Sequence, residues 1–164
     1  MRAEAAVNED APVVGVLAAS PAELPLLRQA GLILEKFGIP HETRVISPAR
    51  NPDLIDEYAR TAFERGLKVV IASTGISGHL ASAVAARTVL PVVGVPISTA
   101  PQLTGLEALS ITAQMPSGVP VATVGVDAAV NAAVLAAEIV GVSDPEVQKR
   151  LWKFKDDLAE GLKL

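Results

Sequence analysis

Three short segments of this 164-residue chain gather small residues around one or two groups that can do chemistry. Ala19-Ser20-Pro21-Ala22-Glu23 offers a hydroxyl, free backbone N–H groups and a carboxylate at a helix start. Unpaired N–H groups and the helix dipole converge at such a terminus and suit an anion. Glu23 could instead accept ribose hydroxyls, and the plain alternative is an ordinary cap in which Ser20 or Glu23 serves only the helix. Ser47-Pro48-Ala49-Arg50-Asn51-Pro52 sets one guanidinium beside a helix N-terminus. That is either a phosphate clamp or a surface ion pair. Ser73-Thr74-Gly75-Ile76-Ser77-Gly78-His79 lets backbone approach a ligand closely and opens a helix at His79, whose imidazole suits general acid–base work or a purely structural role.

Other chemistry is excluded or poorly supplied. There is no cysteine, so disulfides, thiolate metal sites and a cysteine nucleophile are out. His41 and His79 are the only histidines, and no His/Asp/Glu cluster has metal-ligand spacing. Neither a Walker motif nor a G-x-G-x-x-G fingerprint occurs. A formal net charge of −4 argues against a generally basic nucleic-acid binder. No apolar run reaches the roughly 18 residues of a membrane span. The polar first residues contain no apolar core of a signal peptide, which, with the absence of cysteine, fits the cytoplasm. A mean hydropathy of +0.40 without a membrane segment points to surface buried between subunits.

The elements that must position the three segments alternate regularly. Residues 1–11 read as a flexible arm. Strands are expected at Val13–Ala18, Glu42–Ile46, Lys68–Ala72, Pro91–Val95 and Pro120–Val124. Helices are expected over Glu23–Phe37, from Pro52 to Gly66, over Leu80–Thr88, around Leu106–Ile111, over Ala128–Val140 and over Asp144–Leu162. Leu24, Leu27, Leu32, Ile33 and Leu34 fall mostly on one side of the first helix, and Leu54, Ile55, Tyr58, Ala59, Ala62 and Phe63 form the apolar set of the second. The strands are continuous apolar runs, the mark of a parallel sheet covered on both faces. In such sheets ligands bind at the carboxyl ends of strands near a topological switch point, where all three segments fall. Residues 12–142 then form one α/β domain, followed by a charged amphipathic helix at 143–164.

Taken in order, VGVLAASPAELP, VISPARNPD, VVIASTGISGHLASAVAARTVLPVVGVPI, QMPSGVPVATV and NAAVLAAEIV resemble the PurE family, the carboxyaminoimidazole ribonucleotide mutases of purine synthesis. The resemblance runs from about Pro12 to the final helix. It implies a flavodoxin-like three-layer α/β/α sandwich with a parallel sheet. It also implies a homo-octamer whose final helix packs on a neighbouring subunit, and no metal or organic cofactor. The implied reaction moves a carboxylate from the exocyclic nitrogen of a heterocyclic ribonucleotide to ring carbon C4, by release and recapture of CO2 in an enclosed site, while a histidine carries the C4 proton.

The departures fall in the three segments. Where the family reads GSDSDWP this chain has ASPAELP: Ser20 matches and Glu23 replaces an aspartate. Where it reads SAHRTP the chain has SPARNP: Ser47, Arg50 and Pro52 match, and Ala49 stands at the histidine position. Where it reads AGAGGAAHLPG the chain has ASTGISGHLAS: Gly75, His79 and Leu80 match, and Ile76 replaces a glycine. The resemblance thus implies substrate contacts from Ser20, Glu23, Ser47, Arg50, Ser73, Gly75 and Leu80, with His79 and Glu23 left as the catalytic candidates. Alanine carries no proton, and loss of general acid–base catalysis removes roughly 10²–10⁴-fold. Three functions follow: a divergent enzyme that carboxylates or decarboxylates an aminoimidazole or related ribonucleotide, the ordinary mutase, and a non-catalytic paralogue that binds a ribonucleotide or assembles with a true family enzyme.

Overall fold

The computed structural model describes residues 11–75, 79–98 and 105–163. The expected arm up to residue 10, and Ile76, Ser77 and Gly78 of the third segment, lie outside them. Five strands form one parallel sheet: β1 (Val14–Ala18), β2 (His41–Val45), β3 (Val69–Thr74), β4 (Val92–Pro96) and β5 (Ala122–Thr123), in the order β2-β1-β3-β4-β5. This is the flavodoxin-like order, and its switch point lies between β1 and β3. Among the described residues six helices cover it: α1 (Leu24–Lys36), α2 (Pro52–Thr61), α3 (His79–Ala85), α4 (Leu106–Ala113), α5 (Ala129–Gly141) and α6 (Pro145–Ala159). A 3₁₀ turn, Pro21–Glu23, leads into α1.

Period-two alternation along the strands feeds two cores. Val14, Val16, Val69, Ile71, Val93 and Val95 face a cluster with α1 and α5. Leu17, Val70, Ala72 and Val92 face a cluster with α2 and α3. β-Branched residues suit strands buried on both faces. Five alanines of α5 (Ala129, Ala132, Ala133, Ala136, Ala137) are wholly buried, so this helix sits close on the sheet.

Local chemistry ends and starts the helices as the sequence suggests. α1 stops where Gly38 takes a left-handed φ of 63° and Ile39 N donates back to Leu34 O. Pro52 occupies the first turn of α2. Asp144 caps α6, accepting from Glu146 N at 3.0 Å and Val147 N at 3.1 Å. α6 packs on its own chain: Val147 and Leu151 join the α1/α5 core, and the Phe154 ring meets Phe37 edge-on at 5.3 Å.

Several expectations need correction. β2 begins one residue early, and β5 shrinks from five residues to two. Pro120 has no N–H to give a ladder, so pairing at this edge starts later. α2 ends at Thr61, which leaves Phe63 64% exposed, and Leu32 and Leu54 likewise face outward rather than into the core.

Candidate active site

The carboxyl ends of β1, β2 and β3 meet at a single backbone unit, Ala19. Its N–H lies 2.7 Å from Glu23 Oε2 and 3.1 Å from Ser73 Oγ. Its carbonyl accepts from Arg50 Nη2 at 3.2 Å. Glu23 Oε2 also accepts from Ser20 N at 3.3 Å and from Ser73 Oγ at 2.6 Å. One carboxylate oxygen therefore ties the turn after β1 to the end of β3 across the switch point. Charge-assisted bonds of this kind are the strong ones.

The second segment is fixed from below. Ser47, only 7% exposed, receives the Arg50 N–H at its Oγ at 3.4 Å, and Ser47 O accepts the Asn51 N–H at 2.7 Å. This tight turn throws Arg50 across to Ala19. Ala49 sits on its exposed crest. Ser73 is wholly buried, and Gly75, half-buried, follows it at the mouth.

Five of the expected site residues are thus brought together: Ser20, Glu23, Ser47, Arg50 and Ser73. His79 is exposed as the first residue of α3, and among the described residues no hydrogen bond or ion pair joins its ring to the other five. Leu80 is 2% exposed within the α2/α3 core, so its side chain packs the fold. His41 lies at the opposite end of the sheet, where β2 starts, with its ring against Gly31. Glu23 serves as a structural tie through Oε2, a role the sequence offered only as a local cap.

Two features escaped the sequence reading. Ser98, just past β4, gives its N–H to Asp127 Oδ1 at 3.0 Å and its hydroxyl to Asp127 Oδ2 at 2.5 Å. Asp127 is left-handed (φ 55°), a conformation that Asp tolerates better than most residues. Thr74 ends β3 with a hydroxyl that is buried and has no hydrogen-bond partner among the described residues. Neither signal was visible without the pairing of distant loops. Among the described residues no group of three or more His, Asp or Glu is placed to hold a metal ion.

A doubly wound sheet whose first three carboxyl-end loops are pinned together at the switch point defines a flavodoxin-like α/β protein, a class whose members bind ligands at that end. A family model for AIR carboxylase matches residues 13–161. The chain is 46% identical over 147 residues to an N5-carboxyaminoimidazole ribonucleotide mutase of Pyrococcus abyssi, covering 90% of this chain and 84% of that one. It is 45% identical over 149 residues to the mutase of Mycobacterium tuberculosis, covering 91% and 85%. The crystal structure of Treponema denticola PurE superposes with a TM-score of 0.78 at 24% identity, over 91% of this chain and 92% of that one. The chain belongs to the AIR carboxylase family.

Proposed function

We propose that this chain is a mutase-type enzyme that moves a carboxylate between the exocyclic nitrogen and C4 of an aminoimidazole ribonucleotide. The observation that carries this reading is the convergence on Ala19, which holds Ser20, Ser47 and Arg50 in one place for a phosphorylated ligand. Relatives named as mutases, at about 45% identity over most of the chain, support the same direction.

The reaction balances without a co-reactant. The N–C bond to the carboxylate breaks, its electron pair stays on nitrogen, and nitrogen takes a proton. C4 then attacks the released CO2, a C–C bond forms, and the C4 hydrogen leaves as a proton. Holding CO2 against C4 supplies effective molarity. The methyl group of Ala49 takes no part in the proton transfers. Three groups donate to Glu23 Oε2, which leaves Glu23 Oε1, the His79 imidazole or a group of the substrate as the carrier.

The same methyl group favours a second reading, a paralogue that binds the ribonucleotide without turnover. Further expectations belong to the proposal: a cytoplasmic homo-octamer with no metal or organic cofactor, in which residues 143–164 pack on a neighbour. Exposed Leu32, Val89, Val142 and Trp152 support an assembly.

The test is to mix the purified protein with the C-carboxylated aminoimidazole ribonucleotide and follow the ultraviolet spectrum and products. Conversion to the N-carboxylated nucleotide, accelerated about 100-fold by Ala49→His, is expected. Binding without conversion in the same sample moves the conclusion to the second reading. No binding at millimolar ligand overturns both.

A further inference from the structure

The Thr74 hydroxyl is the least explained polar atom at the carboxyl end of the sheet. Thr74 is 1% exposed, and its Oγ1 has no hydrogen-bond partner among the described residues. Its backbone is well used, since Thr74 O accepts the Ile97 N–H at 2.9 Å. The side chain alone is left over. A buried hydroxyl without a partner is costly, and in native proteins such a group calls for an explanation.

Its position supplies one. Along β3, Ile71 faces the α1/α5 core and Ala72 the α2/α3 core. By strand alternation Ser73 faces the α1 side, where Glu23 meets it, and Thr74 faces the α2/α3 side. The turn carrying Ala49 leads into α2, and His79 and Leu80 open α3, so all three border that same side. Gly75, next in the chain, is half-buried, so Thr74 precedes the mouth of the site by one residue. Ala49 offers no polar atom there, whereas Thr74 offers a donor and an acceptor.

We infer that Thr74 is a substrate-binding residue, whose hydroxyl pairs with the polar reacting end of the ribonucleotide, its exocyclic amine or its carboxylate. The inference rests on the proposed function. A threonine hydroxyl does not ionise near neutral pH, so its role is to hold and orient, and the proton is carried elsewhere. The unpaired atom in the free protein is then a stability cost kept for binding, as functional sites often show.

The test uses Thr74→Val, which keeps the shape and β-branching, and Thr74→Ser, which keeps the hydroxyl. Melting temperature without ligand and KM for the C-carboxylated aminoimidazole ribonucleotide are measured at fixed protein concentration. Thr74→Val is expected to melt about 3 °C higher, because it removes an unsatisfied buried group. Its KM is expected to rise about tenfold, the weight of one hydrogen bond, while Thr74→Ser stays within about twofold of the unaltered chain. A higher melting temperature with unchanged KM overturns the inference and leaves a purely structural hydroxyl. A lower melting temperature for Thr74→Val overturns it too, since the hydroxyl then has a protein partner. An unaltered chain that neither binds nor converts the nucleotide removes the proposed function itself, a result distinct from either variant outcome.

Discussion

Glu23 shows how one carboxylate can build a site before any ligand arrives. Two backbone N–H groups and the Ser73 hydroxyl converge on its Oε2, from neighbours in sequence and from a strand 50 residues away. If Glu23 acted only on ligand, removing it would leave the free protein unchanged. The hydrogen bonds predict otherwise. Glu23→Ala should cost about 2 kcal/mol, since it strands partly buried donors. That corresponds to roughly 5 °C in the ligand-free melting temperature for a chain of this size. An unchanged melting temperature would return Glu23 to the ligand alone. The local half of this arrangement was readable as a cap at the start of α1. The half that reaches Ser73 was not, because a contact between two loops leaves no periodic trace in the sequence.

At the scale of elements, the sheet is tied to its flanking helix by a charge cluster built on one buried carboxylate. Glu42 on β2, 5% exposed, meets Arg65 Nη1 at 2.6 Å and Arg44 Nη2 at 3.0 Å. Arg65 in turn lies over the Tyr58 ring of α2, 4.6 Å from its centroid. Burial alone would push the Glu42 carboxyl up, but the Arg65 donor, the neighbouring Tyr58 hydroxyl, the Arg44 donor and the charge of Arg65 outweigh it and hold the pKa below 4.5. Burial first, then the Glu42 charge, drives the Tyr58 phenol well above its usual 10. A carboxyl with a lowered folded-state pKa contributes stability above its unfolded value and loses it as pH falls through the folded value. The protein should therefore lose stability progressively below about pH 4.5. Glu42→Gln should cost about 2 kcal/mol at pH 7 and flatten that acid limb of a urea-melt series. An equally steep acid limb in the variant would assign the loss to other carboxylates. Glu42 drew no attention as a sequence feature, because a lone acid in the strand ETRV looks like ordinary edge polarity until Arg65 arrives after α2. The strand–helix alternation was legible, since apolar runs and Gly/Pro stops are local. Phe63 misled because an apolar residue two positions past a helix end keeps the helical spacing without the helix.

At the scale of the whole molecule, the outer face of α6 has no partner among the described residues. Its inner face is used: Val147 and Leu151 are buried, and Arg150 Nη1 donates to Phe37 O at 2.7 Å at the end of α1. Outside, Trp152 is 68% exposed and Val142 86% exposed, flanking a groove of about 240 Å³ with Glu138, Gly141, Gln148, Leu151 and Lys155. A tryptophan displayed this openly in a chain of mean hydropathy +0.40 is the residue type that anchors interfaces. If α6 meets a neighbouring copy, placing a charge there should separate subunits and leave the fold intact. Trp152→Lys should shift the light-scattering mass from a large assembly toward smaller species with unchanged circular dichroism, because the indole is 68% exposed and belongs to neither core cluster. Cutting the chain after Val142 should do more harm. It strips Val147 and Leu151 from the α1/α5 core as well as the outer face, so solubility should fall together with assembly. A Trp152→Lys protein of unaltered mass would mean that α6 only closes its own subunit, and the assembly would then have to be built on Leu32, Val89 or another of the exposed apolar positions.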